Sequence, residues 1–176
     1  MIKTQKLIFM SLLVTMALAL HVVERSIPVP FVTPGAKLGL ANLVTVLALY
    51  SLPSKVDTLK IIITRVILGM IFGGNASSFL YSFIGAMLSF VAMIVVKEGL
   101  GDKVSIIGVS ATGAVFHNIG QILVACMILR NLAVSLYLPM LSIAGIVTGI
   151  FIGMSTNYII AHIFQIRKIN FNKYYE

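Results

Sequence analysis

Six long apolar runs, separated by short polar breaks, leave this chain few folds to choose from. They cover about Leu7 to Val23, Leu38 to Leu52, Leu59 to Phe72, Phe79 to Val96, Val104 to Leu129 and Leu136 to Phe164. Six spans of roughly 20 residues each use most of the 176 residues and leave nothing for a soluble domain. Gly, Pro, Asn or charge bounds each run, as helix limits require. Strands of a membrane barrel would alternate apolar with polar residues, and these runs do not. A soluble domain of this length has no use for a composition 59% hydrophobic and 10% charged, with a mean hydropathy of +1.06. The expected fold is therefore all-α: a polytopic membrane protein, a six-transmembrane-helix bundle over residues 1–166, followed by a basic tail at 167–176.

A net charge of +8 raises the question of nucleic acid, but the basic residues are distributed as topology signals. Lys3, Lys6, Lys55, Lys60, Lys97, Lys103, Arg167, Lys168 and Lys173 fall on one side of a six-span arrangement, and only Arg25, Lys37 and Arg130 on the other. The positive-inside bias then puts both termini in the cytoplasm. Lys3, Lys6 and the stretch ending Ala17, Leu18 and Ala19 have the shape of a secretory leader, but five further spans need no removable signal. Cys126 is the single cysteine, so no disulfide framework or thiolate metal site is expected, and a buried small hydrophobe fits it better.

Polar groups inside such spans are costly unless they meet a partner or a wet cavity, so they mark candidate sites. Glu24 closes the first span and Lys37 opens the second, with Asn42 more than one turn deeper. These residues put both charge signs at the outer mouth; an ion pair pinning two helices is the plainer alternative. Between them, Pro28, Pro30 and Pro34 keep the apolar connection Arg25 to Gly35 extended, as either a lid over a cavity or a stiff interfacial connector. Arg65, near the middle of the third span, stays charged, and an inward orientation toward an anion or toward backbone carbonyls is expected. Gly69 and Gly73 follow on its face and allow close approach. In the fifth span, Gly113, His117 and Gln121 share one helical face, with Asn118 beside them. That cluster suits a ligand or proton site, or else polar bonding between helices. No second His or carboxylate has ligand spacing to His117, so no metal is expected.

No Walker motif is present, and the acidic residues Glu24, Asp57, Glu98, Asp102 and Glu176 form no cluster of the kind that holds magnesium against a diphosphate. The chain is expected to be neither an enzyme nor dependent on a cofactor. Gly145, Gly149 and Gly153 make a close-packing stripe within the bundle. Ser11, Thr15 and Ala19 make a second stripe, suited to docking another protein.

The segments Pro34 to Asn42 (PGAKLGLAN), Arg65 with Gly69, Ser78 to Ser89 (SFLYSFIGAMLS) and Ser110 to Gln121 (SATGAVFHNIGQ) resemble the Gx transporter family, also labelled heptaprenyl diphosphate synthase component I. That family is similar in turn to the substrate-specific subunits of energy-coupling-factor transporters. The resemblance implies a six-helix bundle in a bacterial plasma membrane that takes a ligand from outside. It also implies that Ser11, Thr15 and Ala19 dock a transmembrane coupling subunit driven by ATPases. The leading expectation is a substrate-binding or transport subunit for a small anionic or isoprenoid-related ligand, held by Glu24, Lys37, Asn42, Arg65, His117, Asn118 and Gln121. The alternative is a non-catalytic membrane subunit of heptaprenyl diphosphate synthase in menaquinone side-chain synthesis, partnered by a soluble prenyl synthase chain.

Overall fold

The computed structural model describes residues 3–26, 39–72 and 75–173, with side chains placed except at 25–26 and 164–173. Six helices follow the six apolar runs: α1 (Lys3–Ser26), α2 (Asn42–Ser51), α3 (Lys55–Ile71), α4 (Ala76–Leu100), α5 (Ile106–Leu129) and α6 (Leu138–Lys173). Two 3-10 segments, Gly101–Lys103 and Leu132–Tyr137, lead into α5 and α6. Polar side chains mark several of the breaks. Ser54 accepts from the Val56 amide, Asn75 from Ser78, Ser105 from Gly108 and Asn131 from Ala133, each satisfying an amide that a helix start leaves open.

Among the described residues, four segments are long and apolar enough to cross a membrane: Lys3–Glu24, Ala76–Lys103, Ile106–Leu129 and Leu132–Ile163. The second expected span is shorter than its apolar run. With 10 residues, α2 is about 15 Å long, half of a bilayer core of about 30 Å. Helix α2 begins late because Gly39 takes φ +82°, and the amides of Gly39 and Leu40 turn toward Glu24 instead of continuing a helical ladder. Helix α3 has 17 residues, about 25 Å. Helix α6 runs on through Lys173, with no break at the expected tail boundary of 166.

The charged connections meet at one end of the bundle. Lys6 at the start of α1 pairs with Asp57 at the start of α3 at 2.5 Å, Lys55 pairs with Glu98 at the end of α4, and Lys97 donates to the Leu49 carbonyl near the end of α2 at 2.7 Å. The opposite end holds the termini of α1 and α3 and the entry to α2. Helix α2 is enclosed by the others: Val44, Leu47 and Ala48 pack with Leu13 and Ala17 of α1 and Ile160 of α6, while Val46 and Leu49 pack with Ile62, Phe90, Met93 and Val109.

Lipid offers helices no hydrophobic drive to associate, so close packing through small residues has to supply it. On α4 and α5, a Cβ at Gly120 would lie 2.7 Å from the Gly85 Cα. On α5 and α6, a Cβ at Gly149 or Gly153 would lie 2.6 Å from the Cα of Ala111 or Ile107. Helices α4, α5 and α6 therefore form a tight half of the bundle. Helix α1 is peripheral, with 17% of its apolar window buried against 50% for α5. Exposed Leu7, Leu12, Val91, Val95, Val147 and Phe151 give the bundle the apolar exterior of a multi-pass membrane protein.

Candidate functional site

The polar residues of α1, α2, α3 and α5 converge near the end of the bundle opposite the lysine-rich one. Glu24, 3% exposed, accepts from the Gly39 amide and from the Leu40 amide at 3.3 Å. Those amides sit just before α2, so the carboxylate occupies the positive end of that helix. Arg65, 9% exposed, donates from Nη2 to Asn42 Oδ1 at 3.3 Å. The Glu24 carboxylate acts electrostatically on the Arg65 guanidinium, offsetting part of the cost of burying it.

Arg65, Glu24 and His117 line one cavity together with His21, Gly39 and Ser82. Its volume is about 20 Å³, the scale of one or two waters. On α5, the side-chain amide of Gln121 donates to His117 Nε2 at 2.8 Å. The His117 ring lies between two glycines. A Cβ at Gly85 would stand 2.9 Å from its Nδ1, and one at Gly39 would stand 3.2 Å from its Cδ2 and 3.2 Å from Asn42 Nδ2. Gly39 is thus the junction of the site: its amide serves Glu24, and its α-carbon faces both His117 and Asn42. Two donors in this cluster, Arg65 Nε and Asn42 Nδ2, are buried and have no hydrogen-bond partner among the described residues.

Of the residues singled out from sequence, Glu24, Asn42, Arg65, His117 and Gln121 come together. Asn118 does not join them: its Nδ2 donates to the Leu141 carbonyl at 2.6 Å and faces Gly145 on α6. Lys37, most of the Arg25 to Gly35 connection, and Gly73 lie outside the described residues. Ser11, Thr15 and Ala19 are all exposed on α1, with the Thr15 hydroxyl turned onto the Ser11 carbonyl at 3.0 Å.

Sequence reading passed over His21, Ser78 and Ser82, which also line the cavity. His21 fills the space left by Gly69, where a Cβ would lie 3.5 Å from its Nε2. Ser78, Ser82 and Gly85 are spaced along one face of α4, and that small polar stripe in an apolar span was the available signal.

Residues 13–159 match heptaprenyl diphosphate synthase component I. The chain belongs to this family. The match to component I takes in every described residue of the cavity. No similarity to a curated protein or to a solved structure is found.

Proposed function

We propose that the chain is a membrane-embedded ligand-binding subunit, of the kind that serves transport, for a small anionic or isoprenoid-related ligand in a bacterial plasma membrane. One observation carries the reading: buried Arg65 and Glu24 face a single cavity between helices, where a charge without a task is costly. Arg65 attracts the ligand, while Asn42, His117 and Gln121 orient it. Lys37, two residues before the cavity-lining Gly39, adds a second cation in this reading. The exposed Ser11, Thr15 and Ala19 face supports docking of a transmembrane coupling subunit with its ATPases.

The family match favours a second reading. On that reading, the chain matching heptaprenyl diphosphate synthase component I serves as a non-catalytic membrane subunit beside a soluble prenyl diphosphate synthase chain. Native mass spectrometry of the protein gently extracted from its own membrane separates the two. A small molecule lost in Arg65→Ala, with co-purifying ATPases, supports transport. A prenyl synthase chain with an empty cavity supports the accessory role and removes the ligand-binding one.

A further inference from the structure

A second cavity lies at the lysine-rich end of the bundle, where α2 ends, α3 starts and α4 ends. Its volume is about 110 Å³, against about 20 Å³ at Arg65, and the two share no lining residue. Lys55, Lys97 and Glu98 bring charge to its wall, while Leu49, Leu52, Pro53 and Ile94 make the rest of it apolar. The space is on the scale of several waters.

The charges on this wall do not pair off. Glu98 pairs with Lys55 and also acts electrostatically on Lys97, while Lys55 and Lys97 repel each other. Lys97 itself bonds to neutral groups: its ammonium donates to the Leu49 carbonyl at 2.7 Å and lies 4.1 Å from the Tyr50 ring centroid. An ammonium has three donors, and the carbonyl takes one. On the described wall, one carboxylate thus serves two mutually repelling ammoniums, and an oxyanion between them would relieve that repulsion.

The neighbouring surface indicates where the oxyanion comes from. Val95 and Val91, 63% and 56% exposed, stand one and two helical turns before Glu98 on the same side of α4. An acyl chain lying on these valines would bring its head to the cavity. Basic pockets between membrane helices hold acidic lipid heads in this way, whereas a free phosphate would gain nothing from the apolar part of the wall. We infer that the cavity seats the phosphate of an anionic phospholipid between Lys55 and Lys97, with its chains against Ile94, Val95 and Val91. The site goes beyond the ligand-binding reading and does not depend on it.

The test is native mass spectrometry of the full chain in detergent, stripped of lipid and titrated with phosphatidylglycerol or phosphatidylcholine. Phosphatidylglycerol is expected to bind more tightly. Lys55→Gln should weaken it about fivefold and Glu98→Gln should strengthen it about fivefold, the effect of one charge at a membrane surface, with phosphatidylcholine unchanged by either. Both variants break the same ion pair, so a purely structural pair would move affinity the same way in both, and that result overturns the inference. Lys60→Gln, on α3 outside the cavity wall with its side chain 64% exposed, should leave both lipids unchanged. A loss there equal to that in Lys55→Gln would show general attraction to a basic face and overturns the seat. Equal affinity for the two lipids overturns it as well, and so does inorganic phosphate displacing phosphatidylglycerol at equal concentration.

Discussion

The Glu24 carboxylate accepts the amide hydrogen of Gly39, fifteen residues further along the chain. That bond ties the end of α1 to the entry of α2 and fixes where α2 begins. Gly39 at φ +82° lies where a side chain is strained, and a Cβ would press on His117 and Asn42. Gly39→Ala is expected to cost about 1–2 kcal/mol from backbone strain alone. It should lower the unfolding midpoint in detergent and disturb the His117 ring resonances, and an unchanged midpoint would contradict the assigned conformation.

Asn118 and Gln121 are neighbours in sequence with different tasks. Asn118→Ala removes the bond to the Leu141 carbonyl and is expected to cost about 1 kcal/mol of stability without changing ligand affinity. Gln121→Leu, which removes the partner of His117 Nε2, should change affinity. Parallel melting and binding assays on the two variants check this.

Backbone contact between α4 and α5 leaves no room at Gly120, where a Cβ would meet the Gly85 Cα at 2.7 Å. Gly120→Ala should destabilise by about 1–3 kcal/mol through overpacking. Gly99, with nothing within 4 Å of its added Cβ, is the control: Gly99→Ala should be neutral, or stabilising by up to about 1 kcal/mol. Unfolding in mixed micelles compares the pair.

Lys97 holds α2 from its other end. Its ammonium donates to the Leu49 carbonyl at 2.7 Å and lies 4.1 Å from the Tyr50 ring centroid. Lys97→Met keeps the length and removes the charge. It should cost about 1–2 kcal/mol and speed amide exchange in α2 more than in α5, as hydrogen exchange would reveal.

Orientation is open to direct labelling. In a Cys126→Ser background, cysteines at Lys3 and Lys103 should react with an impermeant maleimide only after the membrane is opened. A cysteine at Arg130 should react in intact cells. The reverse pattern would invert the positive-inside assignment.

Residues whose burial depends on composition are legible in the sequence. Apolar runs and their polar bounds marked all six helices, and the cost of charge in hydrocarbon pointed to Arg65, Glu24 and the polar face of α5. Less legible were the contributors whose signal is ordinary in a span: Gly39, His21, Ser78 and Ser82. A glycine or serine in an apolar helix usually serves packing, and only its neighbours in space distinguish a cavity wall from an interface. Asn118 shows the converse, since its sequence position beside His117 suggested the site and its helical angle turns it to α6.

Helical class, apolar exterior and the identity of the costly polar groups were all written in the chain, because each follows from transfer energies and local periodicity along it. Helix packing set α2 as a half-length helix starting at a Glu24 clamp and brought Arg65, Glu24, His21 and His117 to one cavity, with Asn42 bonded to Arg65. Those outcomes depend on how helix faces from distant segments rotate against one another, and glycine contacts such as Gly85 with Gly120 set that rotation across elements far apart in sequence.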